Sequence, residues 1–146
     1  MMDFTGKVFI VTGASSGIGL SCAEQIIALG GRVIGVDKNA TDVDNDAFEY
    51  SVISVTDEQA VENLVNTVTD KYGHIDGLVN AAGIWGSSKP FYEMDSEAFQ
   101  NVLDVNTKGM FLMSKYVART MISQKRGKIV NISCIRASIF RNNMVD

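Results

Sequence analysis

A chain of 146 residues, 46% hydrophobic and 21% charged, reads as one globular domain with ordinary core content, not as a disordered, fibrous or membrane-spanning polypeptide. Thirteen basic against seventeen acidic residues leave a formal charge of −4 without any Lys/Arg run, so neither nucleic acid nor an anionic membrane is an expected partner. Cys22 and Cys134 are too few and too far apart for a disulfide framework or a zinc site, and the opening Met1 to Lys7 lacks a signal-peptide pattern; no metal and a reduced, cytoplasmic setting are expected.

Lys7 to Thr12 is an almost unbroken β-branched and aromatic run, the pattern of a strand buried on both faces. Glycine-rich punctuation follows, then a helix over Ile18 to Leu29 with Ile18, Cys22, Ala23, Ile26 and Ile27 on its inner face, ended by Gly30 and Gly31. Arg32 to Asp37 is a second strand and Tyr50 to Val55 a third. The short, aspartate-rich stretch between them leaves room for a turn or a very short helix. Thr56 with Gln59 has capping-box spacing, Val61, Leu64, Val65 and Val68 form an apolar helix stripe, and Gly73 closes that helix. Ile75 to Asn80 is the fourth strand. After a loop with the single proline, Pro90, one long helix is expected over Ser96 to Ile122, with Phe99, Val102, Leu103, Met110, Met113 and Val117 inward. Lys128 to Ser133 is the fifth strand, bare at its far edge. Strands alternating with helices predict an α/β, doubly wound parallel sheet of Rossmann type, one domain over residues 1–146, with strand order 3-2-1-4-5.

The sharpest local signal is Thr12-Gly13-Ala14-Ser15-Ser16-Gly17-Ile18-Gly19, which leaves a buried strand and opens a helix. In that setting Gly13 permits a tight turn, Gly17 lets backbone approach a pyrophosphate, and Gly19 lets helix and strand pack closely. Asp37 ends the second strand, where a carboxylate accepts ribose hydroxyls and repels a 2′-phosphate; this points to NAD(H) over NADP(H).

The spacing Gly-x-x-x-Gly-x-Gly resembles the short-chain dehydrogenase/reductase family, and further matches follow in order. Asn80-Ala81-Ala82-Gly83 resembles the family's Asn-Asn-Ala-Gly motif, Asp76 its adenine-side aspartate, Asn106 its catalytic-helix asparagine, and Gly127 to Ser133 the strand leading to the catalytic serine. The resemblance implies that Gly13, Ser15, Ser16, Gly17, Ile18 and Gly19 hold the pyrophosphate and Asp37 the adenosine ribose. By the same resemblance Asn80, Ala81, Ala82 and Gly83 lie beside the nicotinamide ribose. Ser54 and Val55 fall where the family has Asp-Val against the adenine, with serine a weaker, neutral acceptor. The helix around Asn106 is expected to be locally distorted, its freed carbonyl holding a water in a proton relay. A homo-oligomer, dimer or tetramer, is also implied. The opening residues and the short link between strands two and three are most similar to dihydrodiol dehydrogenases acting on 2,3-dihydro-2,3-dihydroxybenzoate.

The implied chemistry is hydride transfer between nicotinamide and a secondary alcohol or ketone, with a tyrosine base assisted by lysine in a Tyr-x-x-x-Lys turn and a serine on the substrate oxygen. Cys134 occupies the serine position, and a thiol is a poor donor; Ser133 points to the opposite strand face, and Ser138 follows in the loop. Family spacing places the tyrosine just past Asp146, so the expectation is a nucleotide-binding half that stops before the catalytic helix. None of Tyr50, Tyr72, Tyr92 and Tyr116 has a lysine four residues later. Two functions are therefore open: an NAD-dependent oxidoreductase of which this is the N-terminal part, or a dinucleotide-binding protein without turnover. Trp85 is a candidate pocket residue, and His74 is expected to face solvent in a helix–strand turn.

Overall fold

The structure, a computed structural model, describes residues 2–86 and 91–133 apart from the Phe91 side chain. Pro90, Cys134 and Ser138 lie outside the described residues. Five parallel strands, β1 (Val8–Thr12), β2 (Arg32–Asp37), β3 (Phe48–Val52), β4 (Gly77–Asn80) and β5 (Lys128–Asn131), form one sheet in the order β3-β2-β1-β4-β5. The helices are α1 (Gly17–Ala28), α2 (Glu58–Tyr72), α3 (Ser96–Leu103) and α4 (Met110–Ser123). This is the doubly wound arrangement expected from the strand–helix alternation. None of the described helices is long and apolar enough to cross a membrane.

Alternation along the strands explains why both faces are covered. Ile10, Ile34 and Leu78 pack with Val61, Val65 and Val68 of α2 and Met113 and Val117 of α4. On the other face Val11 and Val33 meet Phe48 and, from α1, Ala23 and Ile26. Each of the fully buried Val, Ile, Leu and Met side chains among these contributes about 1.5–3 kcal/mol relative to exposure. The α1 layer stops short of β5: a groove of about 680 Å³ between Phe9, Ile26, Val79 and Val130 stays open, and Val130 is 50% exposed.

Several boundaries differ from the sequence expectation, each for a local reason. Asp57, not Thr56, caps α2, accepting from the Ala60 N–H at 3.0 Å, while Gln59 bonds to Asn63. The Thr56 hydroxyl is held by Ser54 at 2.8 Å, and this turn ends β3 at Val52. The long helix is broken by a π-helical turn over Asp104–Gly109. An extra residue in that turn rotates the inner face, so Phe99 and Leu103 of α3 are exposed while Met113 and Val117 of α4 are buried. Between β2 and β3 the chain makes a turn and no helix.

Glu49 of β3 ties the sheet edge to α2. Its carboxylate accepts from Lys71 at 2.7 Å and from the Tyr72 hydroxyl, with Arg32 at 3.5 Å. Burial alone raises this carboxyl, but the Lys71 and Tyr72 hydrogen bonds and the two cationic charges outweigh it and hold Glu49 below its ordinary 4.5. A carboxyl depressed in the fold stabilises above its unfolded value and loses that contribution as pH falls through its folded one. Urea midpoints at neutral pH and well below pH 4.5 are therefore expected to differ less in Glu49→Gln than in the parent protein.

Candidate functional site

The carboxyl edge of the sheet carries the loop from β1 into α1 and the turn after β4. Thr12, buried at the end of β1, joins them: its Oγ1 accepts from the N–H groups of Ala81 at 3.1 Å and Ala82 at 3.0 Å. Gly13 has φ +69°, and a Cβ there would lie 2.8 Å from the Ala81 carbonyl oxygen and 2.9 Å from Ala82 Cα, so both conformation and space require glycine. A Cβ on Gly19 would lie 2.2 Å from the Gly13 carbonyl oxygen; α1 rests directly on the loop.

Ser16, the N-cap of α1, is extended and its hydroxyl makes no cap bond; the first turn carries no acidic residue. The N–H groups of residues 17–19 have no intrahelical acceptor, as in any first turn, so the positive end of the helix is open to an anion. Gly17 has φ +56° and nothing within 4 Å of where its Cβ would stand. These groups border a cleft of about 420 Å³ that runs from Asp37 to Ala81, Ala82, Gly83 and Ile84. Ile18, expected on the inner helix face, instead lines this cleft and is 59% exposed. It stands in the first turn, where that side of α1 meets the cleft and not the sheet.

Asp37 closes one end. Its Oδ2 accepts from the Ser15 hydroxyl at 2.8 Å and amide at 3.3 Å, and its Oδ1 from the Asn39 amide at 3.0 Å. Ser54 and Val55 form the adjoining wall, Val55 buried and the Ser54 hydroxyl engaged with Thr56. At the other end Asn106 lies in the π-helical turn, so the helix is distorted where its sequence disfavours helix. The Asn106 side chain accepts from the Ile84 N–H at 2.8 Å and donates to the Ile84 carbonyl at 3.0 Å. Asn106→Ala removes both partners of a part-buried peptide and is expected to cost about 1–3 kcal/mol, measured by urea denaturation.

Other expected site residues stand differently. Asn80 is buried and donates to Ser114 at 3.0 Å and Asn131 at 2.9 Å, binding β4 to α4 and β5; it does not line the cleft, and among the described residues its Oδ1 has no partner. Asp76, expected on the adenine side, precedes β4 and therefore sits at the opposite, amino edge of the sheet. There it accepts from the Val8 N–H at 3.0 Å and faces Lys7, His74 and Arg126. His74 is thus 3.2 Å from a carboxylate, not simply solvent-facing. Trp85 is 55% exposed and does not line the cleft. Thr12 and Asn39 carry the site geometry without having been singled out; Thr12 opens the glycine-rich string, whereas nothing local marks Asn39.

A profile of the short chain dehydrogenase family matches residues 7–145. The chain belongs to that family. Among curated proteins, it is 38% identical over 145 residues to an uncharacterized oxidoreductase of Staphylococcus saprophyticus, covering 92% of this chain and 62% of that one. It is 34% identical over 137 residues to the 2-dehydro-3-deoxy-L-rhamnonate dehydrogenase (NAD(+)) of a Sphingomonas species, covering 90% and 55%. The solved structure of an NAD+-bound xylitol dehydrogenase superposes with TM-score 0.87 at 34% identity, over 97% of this chain and 58% of that one. The chain thus spans 55–62% of the length of these relatives.

Proposed function

We propose that this short-chain dehydrogenase chain binds NAD(H) in the carboxyl-edge cleft and forms the nucleotide-binding part of an oxidoreductase acting on a secondary alcohol or ketone. The observation that carries the proposal is the pairing of an open, cation-like helix terminus with a carboxylate at the ribose end of one cleft. The N–H groups of α1, with the Ser16 hydroxyl, hold the pyrophosphate, and the missing Cβ of Gly17 leaves the space it needs. Asp37 accepts from the adenosine ribose and repels a 2′-phosphate; Ser15, committed to Asp37 through hydroxyl and amide, works at this end. Val55 and Ser54 flank the adenine. Ala81, Ala82 and Gly83 flank the nicotinamide ribose, next to Asn80 at the strand end, and Asn106 fixes the backbone of Ile84 beside them. When bound, the nicotinamide supplies or accepts hydride. The NAD named for the rhamnonate dehydrogenase and bound in the xylitol dehydrogenase structure supports the choice of nucleotide. A small-molecule alcohol, with cyclic dihydrodiols as the first class to try, a cytoplasmic setting and assembly into a dimer or tetramer belong to the same proposal. Phe111 and Ile122, about three turns apart on one side of α4, are 60% and 76% exposed and offer an assembly face.

A second reading is dinucleotide binding without turnover. Among the described residues lining the cleft, the only titratable groups are Asp37 and Lys38, both at the ribose end. The hydroxyls of Tyr50, Tyr72 and Tyr116 are bonded elsewhere, to Asn39, Glu49 and Glu58. Incubating the protein with NAD+ and a panel of secondary alcohols and dihydrodiols, while following NADH absorbance, separates the two. Turnover supports the oxidoreductase; NADH binding without turnover supports the second reading; no binding overturns both.

A further inference from the structure

Asp37 is held by a hydrogen-bonded frame that begins on the neighbouring strand. Tyr50 of β3 stands opposite Gly35 of β2. A Cβ on Gly35 would lie 2.8 Å from Tyr50 Cδ2 and 2.6 Å from Phe48 Cζ, so the bare Cα is what lets the two rings lie across β2. The Phe48 and Tyr50 rings pack at 5.7 Å between centroids, tilted by 37°. From this position the Tyr50 hydroxyl donates to the Asn39 carbonyl at 2.6 Å, and the Asn39 amide donates to Asp37 Oδ1 at 3.0 Å. Ser15 fills both acceptor positions of Oδ2. A carboxylate has about four acceptor positions. Three are filled by the protein, leaving one, on Oδ1, for a ligand hydroxyl.

We propose that Tyr50 is a positioning residue: by pinning Asn39 it holds the Asp37 carboxylate with its single remaining acceptor position ready for an adenosine ribose hydroxyl. This rests on the proposed NAD(H) site. Burial, and then the Asp37 charge, raise the Tyr50 hydroxyl above its ordinary 10.0, against a smaller lowering by Ser15. Without that hydroxyl the two residues after β2 lose this tie to β3, and the Asn39 backbone N–H that sets Asp37 Oδ1 is no longer fixed, while Ser15 still holds Oδ2.

The test compares NADH with its 2′,3′-dideoxyadenosine analogue, titrated against the parent chain and Tyr50→Phe. The substitution keeps the ring on Gly35 and removes the hydroxyl, with its bond to Asn39 and its contact with Ser15. NADH is expected to bind about three- to tenfold more weakly to Tyr50→Phe, the size of one hydrogen bond, with the dideoxy analogue unchanged. In an Asp37→Ala background the same substitution is expected to have no effect on NADH. Equal weakening of both nucleotides, by lost affinity or by unfolding, overturns the proposal, and so does an unchanged NADH affinity. If the parent chain binds neither nucleotide, the NAD(H) reading has failed and this inference falls with it.

Discussion

Replacing Asp37 with alanine is expected to weaken NADH binding about 10- to 100-fold while leaving NADPH binding unchanged or strengthened. A hydrogen bond to a charged group is worth about 1.5–3 kcal/mol, which sets the lower and upper ends of that range. The asymmetry between the two nucleotides comes from charge. In the proposed site the carboxylate of Asp37 accepts from a ribose hydroxyl and repels a 2′-phosphate, and Lys38 beside it lines the same cleft. Removing Asp37 leaves Lys38 as the only titratable side chain among the described lining residues, which favours the phosphate. Some of the NADH loss passes through the loop, because Ser15 and Asn39 lose the acceptor that orders them. Fluorescence titration with both nucleotides checks the result; parallel losses for NADH and NADPH would show that Asp37 acts only as a loop anchor.

Gly19→Ala is expected to destabilise the protein by about 3 kcal/mol and to remove nucleotide binding, although alanine is the better helix former. Propensity favours alanine over glycine by about 1 kcal/mol inside a helix. Against this, the new Cβ would lie 2.2 Å from the Gly13 carbonyl oxygen and 2.9 Å from that of Thr12. Both obstacles are backbone, so no side-chain rotation relieves them. The first turn of α1 must lift away from the loop, displacing the N–H groups that form the anion end and loosening the packing of Ala23 and Ile26 on Val11. Steric overlap therefore outweighs propensity. Urea denaturation gives the stability change, and a variant as stable as the parent would mean that α1 does not rest on the loop as described.

The central strands were legible in the sequence because they are buried on both faces, so their apolar runs carry no competing pattern. Val8 to Thr12 and Arg32 to Asp37 are found with their ends almost where the runs end. Gly13 and Gly19 were equally legible: the tight turn and the close helix–loop packing each answer a backbone constraint that can be read from spacing. Element ends were harder, since adjacent residues offer rival caps. Thr56 and Asp57 both can cap α2, and Thr56 is taken by Ser54. The distortion around Asn106 was expected, yet its consequence for Phe99 and Leu103 was not, because a π-helical turn shifts the face of everything before it. The family resemblance puts Asp76 at the adenine side, but the four residues of β4 separate it from the cleft by about 13 Å of extended chain. In the Tyr50–Asn39–Asp37 frame the Asn39-to-Asp37 bond is a local turn, whereas the Tyr50 bond leaves no local signal, as it depends on which strand lies beside which.

The most direct test of the NAD(H) site is a calorimetric titration of the unaltered chain with NADH and with NADPH under the same conditions. The expected result is saturable binding of NADH, at least tenfold tighter than NADPH, as one charge-assisted hydrogen bond and the repulsion of a 2′-phosphate require. Tighter binding of NADPH, or no binding of either nucleotide, would contradict the roles given to Asp37 and to the open end of α1.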